Sequence, residues 1–145
     1  MKAMDYVALI AGGAQPVVTF QKKIVDFETY FEPGMRARVV GGWEKESGLV
    51  EIVFDTTEFD DHNRILEQPN YYDKSGNATL TAREAGQYNP KESIYFDSDD
   101  EISCFEVEDS SALLLFKEFR KADTGLTYVQ WLEAVVVALR KDRVT

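Results

Sequence analysis

The sequence predicts an α+β fold: a central antiparallel sheet or small β-barrel of about five strands within residues 35–107, flanked by N-terminal and C-terminal helices. Three observations predict it. Apolar residues recur at helical spacing towards both ends of the chain. In the middle they alternate with a period of two, and Gly, Ser and Asp cluster between the alternating runs.

Taken in order, residues 3–11 read as a short helix that stops at Gly12-Gly13. Val17, Phe20, Ile24, Phe27 and Phe31 are spaced three, four, three and four apart, which predicts an amphipathic helix over 16–31. Pro16 suits its first position and Pro33-Gly34 its end. Met35, Ala37 and Val39 then alternate with Arg36 and Arg38, and Val50, Ile52 and Phe54 alternate within Leu49–Asp55. Gly41-Gly42 and Glu46-Ser47-Gly48 read as turns, so these runs predict a hairpin around a Gly-containing loop. Residues 56–78 read as irregular and polar, and Thr79–Arg83 as a short strand. Ser93–Asp97 and Glu101–Val107 predict a second hairpin, turning at Ser98-Asp99-Asp100.

Helix returns at the C-terminal end. Asp109, Ser110 or Ser111 can cap a helix through about Ala122, with Leu115, Phe116 and Phe119 facing inward and Gly125 as its stop. Thr127 and Gln130 are spaced as a capping box, and Leu126 and Trp131 as a hydrophobic staple, for a last helix. Leu132, Val135, Val136 and Leu139 mark its expected buried face, and Arg140, Lys141 and Arg143 suit the negative end of its dipole.

The chain has 145 residues, which fits one domain, 1–145. Its formal net charge is −10 and 44% of its residues are hydrophobic, a globular composition. So acidic a chain is not expected to grip nucleic acid through phosphates or to dock on an anionic membrane. No stretch approaches ~18 apolar residues, the length of a membrane span. Cys104 is the single cysteine, so no intramolecular disulfide forms. The apolar run Val7–Ala11 lacks the basic front and the length of a secretory signal, and a cytoplasmic location is expected.

The charge is unevenly placed. Residues 1–40 hold five basic and four acidic side chains, residues 111–145 six and four, and residues 41–110 five and eighteen. Asp55, Glu58, Asp60 and Asp61 follow the second strand of the middle region; Asp97, Asp99, Asp100 and Glu101 sit at the expected hairpin tip; Glu106, Glu108 and Asp109 come next. Concentrated like charge costs stability, which points to use. The use expected is a docking face for a basic protein, including a nucleic-acid-binding enzyme whose groove an acidic surface can mimic and block. Trp43, Tyr71, Tyr72, Tyr88 and Tyr95 fall in the same region, and interface centres favour such rings. Small acidic domains of this sort occur among toxin-immunity proteins and phage inhibitors of host enzymes, an analogy of class only.

Two alternatives stand beside this reading. Residues 73–84 resemble the twelve-residue calcium loop of EF-hands: Asp73, Ser75 and Asn77 fall on its first, third and fifth positions, Thr79 on its carbonyl position and Glu84 on its last. Ala78 stands where that loop needs Gly, and Pro69, Gly86 and Pro90 interrupt the flanks, so the same residues also read as a polar turn between strands. The other alternative is a small-molecule site or small enzyme using His62, beside Asp60 and Asp61, or Cys104. No Walker A run, dinucleotide fingerprint or nucleophile elbow is present. The expectation is therefore a binding protein without catalysis or cofactor, with Ca2+ as the one ion its sequence suggests.

Overall fold

Helix α1 spans Ala3–Ala11 and ends at Gly12, as the sequence predicts. The computed structural model describes residues 1–25, 30–66, 71–79 and 91–144. Along them run β1 (Val17–Phe20), β2 (Ile24–Val25), β3 (Tyr30–Phe31), β4 (Arg36–Lys45), β5 (Leu49–Asp55), the short helix α2 (Asp60–Arg64), β6 (Tyr71–Tyr72), β7 (Ala78–Thr79), β8 (Lys91–Asp97), β9 (Phe105–Val107), α3 (Ser111–Ala122) and α4 (Tyr128–Val144). Among the described residues five strands form one antiparallel sheet in the order β8-β5-β4-β1-β9. It is open, with β8 and β9 as its edges, rather than a closed barrel.

The predicted helix over 16–31 is not there. Val17–Phe20 is a strand inside the sheet, and Ile24–Val25 pairs with Tyr30–Phe31. Phe20 and Phe31 do enter the same core, stacked at 3.9 Å, but they come from two separate strands, β1 and β3. That convergence produces the spacing of a helical face, while the β-branched and aromatic content of Val17–Phe20 favours a strand. Residues 26–29, Phe27 among them, lie outside the described residues.

Gly41-Gly42 is also not a turn. β4 runs through it with a register shift between Val39 and Gly41, and the turn falls at Glu46–Gly48. α1 crosses there, and a Cβ at Gly42 would lie 3.7 Å from the Tyr6 carbonyl oxygen. Nor do residues 93–107 form a hairpin. β8 pairs with β5 and β9 with β1, so the two strands lie on opposite edges. The chain between them follows the start of α1: Ala3 N–H donates to the Asp100 carbonyl, and Ile102 N–H to that of Met1. These bonds satisfy a backbone that a hairpin would have paired otherwise.

The inner sheet face buries Val18, Phe20, Ala37, Val39, Val50, Ile52, Phe54 and Phe105 beneath Ala3 and Tyr6 of α1. A second cluster joins Leu9, Phe116 and Tyr128, with Phe119, Trp131 and Leu132 around it. Through this cluster α3 and α4 pack on α1 and on each other. Ser110 caps α3, accepting from Leu113 N–H at 3.1 Å, and Thr127 and Gln130 form the predicted reciprocal box at 3.1 and 3.0 Å. Leu115, expected inside, is 38% exposed; Leu113 takes that place. The expected inner face of α4 is buried only at its start, and Val136 and Leu139 are exposed.

α4 is seated on Gly12, where a Cβ would lie 2.6 Å from Tyr128 Cε2 and 3.0 Å from Leu132 Cδ1. Gly12→Ala is therefore expected to destabilise the fold by about 1–3 kcal/mol through overpacking. Urea unfolding measures it; an unchanged midpoint would mean that α4 does not rest on this residue.

Candidate docking surface

The acidic residues singled out in the sequence separate into two groups. Asp55 closes β5 at one end, and Asp97 pairs with Leu49 at the other. The groups are therefore about 20 Å apart along the strand, one at each end of the sheet.

At the first end Asp55, Glu58 and Glu108 are occupied by the fold. Asp55 Oδ1 accepts from Thr57 N–H at 2.9 Å. Glu58 takes Arg38 in a two-pronged pair at 2.7 and 2.8 Å, which holds its carboxyl below the usual range. Arg36 makes the same kind of pair with Glu108 at 2.7 and 2.8 Å, and its guanidinium lies 4.4 Å from the Phe59 ring centre. Asp60 is half-buried, and Asp61 is exposed. α2, which carries both, is tied down by buried Asn63, whose amide exchanges two hydrogen bonds with the Arg36 backbone at 2.8 and 2.9 Å. Arginines thus alternate with acids here, and the surface is not purely negative.

The second end differs. Asp97, Asp99, Asp100 and Glu101 are all exposed, and the crossing chain places them beside the β4–β5 turn with exposed Glu44 and Glu46. Ser98 N–H donates to the Gly48 carbonyl at 2.7 Å and holds the two loops together. Glu101 pairs with the amino-terminal nitrogen at 2.8 Å, which holds its carboxyl below the ordinary range.

The outer sheet face at this end carries an apolar group. Trp43, Glu51 and Tyr95 are opposite one another across three strands, and Lys45, Leu49 and Asp97 form the next row. Trp43 is 45% exposed, Tyr95 51% and Leu49 36%. The Trp43 ring lies back over Gly41, where a Cβ would be 2.9 Å from Cζ3, so the missing side chain makes room for the indole. Glu51 is buried between the rings and accepts from Tyr95 O–H at 3.2 Å and pairs with Lys45 Nζ at 3.0 Å. The Lys45 ammonium also lies 5.4 Å from the Tyr95 ring centre. Burial pushes the Glu51 carboxyl up, but the Lys45 and Tyr95 donors outweigh it and hold the group below its ordinary range. Glu51 hydrogen bonding raises Lys45 in turn. Folded Glu51 binds a proton more weakly than the unfolded chain does. The pair therefore stabilises the fold above the unfolded carboxylate range, and that contribution is lost as pH falls through the depressed folded value.

The remaining sequence candidates have other settings. Asp73 Oδ1 accepts from Ser75 and Asn77 N–H, each at 2.9 Å, in a turn that joins β6 to β7. Thr79 is in β7, strands rather than helices flank the turn, and Glu84 lies outside the described residues. Among the described residues no group of three or more His, Cys, Asp or Glu is placed to hold a metal ion. His62 Nε2 is 2.9 Å from the Gly34 carbonyl oxygen. Cys104 packs half-buried against the core, and burial pushes its thiol up, away from the reactive thiolate. A cleft of 290 Å³ opens between Pro16, Arg38 and Ala112 at the start of α3, and neither His62 nor Cys104 lines it.

Glu44, Glu46, Leu49 and the Lys45–Glu51 pair were not singled out in the sequence. The signal for Lys45, Leu49 and Glu51 is the same period of two: with the turn at 46–48, residues 43, 45, 49 and 51 share one face, and Glu44 falls on the other. No helix among the described residues is long and apolar enough to cross a membrane. No family model matches the chain, and comparison with curated proteins and with solved structures gives no match.

Proposed function

We infer that this chain is a non-catalytic binding protein that docks the β4–β5 turn end of its outer sheet face on a basic surface of another protein. One observation carries the reading: Trp43, Leu49 and Tyr95 stand exposed in adjacent rows with Glu46, Asp97, Asp99 and Asp100 around them. An apolar centre with a charged rim is the anatomy of a protein interface. The rings supply area that gains from leaving water, and the rim steers a cationic partner and fixes its orientation. The Lys45–Glu51–Tyr95 contacts hold the centre in place before binding, which lowers the ordering cost. Where the partner's basic surface is a nucleic-acid groove, docking there excludes the nucleic acid and inhibits the partner. The opposite end, with its paired arginines, serves the fold.

The experiment compares the wild type with Asp97→Asn/Asp99→Asn/Asp100→Asn and with Asp61→Asn as a control at the far end. Each is used to capture partners from native lysate, and the main captured protein is then purified and its association rate measured at low and high salt. The triple variant is expected to associate several-fold more slowly at low salt and to lose most of the salt dependence, with Asp61→Asn behaving as wild type. Equal rates for all three proteins would contradict the reading.

A further inference from the structure

We propose that the outer half of α4 pairs antiparallel with α4 of a second copy of this chain, across a two-fold axis. α4 has 17 residues and so is about 25 Å long, but only its start rests on α1 and α3. Every side chain from Val136 to Lys141 is exposed, which leaves that part of the helix clear of the body. Its sequence is nonetheless patterned for burial. Val129, Leu132, Val136 and Leu139 follow one another at three, four and three residues, the seam of a two-helix coil. Val136 is 45% and Leu139 58% exposed, so the chain itself does not cover this seam.

The charges beside the seam select the occupant. Glu133 and Arg140 each follow a seam leucine by one residue, on the same side, and both are exposed. In an antiparallel pair such positions face each other. The register that sets Val136 against the second copy's Leu139 sets Glu133 against the second copy's Arg140, and the two-fold axis repeats both contacts. A parallel pair would instead set Glu133 and Arg140 against Tyr128 and Val135 of the second copy, where neither charge meets an opposite one. The seam is short, so the dimer is weak and forms in a concentration-dependent way.

Sedimentation equilibrium of the full chain over a wide concentration range tests this. The wild type is expected to move from monomer to dimer mass, and Leu139→Glu to remain monomeric; circular dichroism confirms that its fold is kept, as expected for an exposed position. Glu133→Arg and Arg140→Glu are each expected to weaken the dimer by roughly tenfold, and the double variant to restore it, because one exposed pair is worth up to about fivefold and the two-fold axis makes two of them. A wild type that is monomeric throughout would overturn the proposal and leave the seam to a different partner. A dimer that Leu139→Glu leaves intact, or that the double reversal does not restore, would overturn it equally.

Discussion

Phe20→Ala is expected to destabilise the protein by about 3–5 kcal/mol, the range for removing a fully buried ring from a packed core. Phe20 is completely buried. Its ring stacks on Phe31 and meets Phe54 and Phe105 edge-on at 5.3 and 5.5 Å, so it joins β1, β3, β5 and β9. Its backbone also donates to the Met35 carbonyl at 2.8 Å, which fixes the ring's position relative to β4. Small domains are stable by about 5–15 kcal/mol in total, so this single change removes a large share. Denaturant unfolding followed by tyrosine and tryptophan fluorescence measures it. A loss below about 1 kcal/mol would contradict the packing described, since a neighbouring ring would have to fill the cavity.

The second large effect is on binding. Trp43→Ala is expected to weaken the captured complex by at least about 2 kcal/mol, roughly thirtyfold, as for a ring at the centre of an interface. The fold should be little affected, because the indole is nearly half exposed and lies on the outer face over Gly41. The loss should fall on the dissociation rate, whereas neutralising the rim acts on association. Calorimetry with the purified partner, alongside thermal melts of both proteins, separates binding from stability. Unchanged affinity with an unchanged melt would remove Trp43 from the interface.

What the sequence disclosed, and what it did not, follows from how local each signal is. The α+β class, α1, the Ser110 cap and the Thr127–Gln130 box all rest on neighbours within one helical turn. Val17–Phe20 carries a helical spacing because Phe20 and Phe31 reach one core from separate strands, a long-range fact that imitates a local period. Gly41-Gly42 has turn composition, but Gly41 makes room for the Trp43 indole and Gly42 faces α1, which no strand pattern reveals. The 93–107 segment has hairpin composition, yet β9 goes to the far edge because β1 is there to receive it.

The candidate docking surface shows the same division. The excess of acid in residues 41–110 was legible, but its separation into two ends was not, since that depends on β5 running between them. Asp55 and Glu58 looked equivalent to Asp97 and Asp99 in the sequence; only the fold brings Arg38 to Glu58 and leaves Asp97 and Asp99 exposed. Trp43 and Tyr95 lie far apart in the chain and become neighbours across Glu51 through register alone.

The most direct measurement is zero-length cross-linking of the captured complex with a carbodiimide, which joins carboxylates to partner lysines in contact with them. Cross-links are expected at Glu46, Asp97, Asp99 and Asp100, and to disappear in high salt. Cross-links confined to Asp60, Asp61 and Glu108 at the other end of the sheet would contradict the assignment of the docking surface.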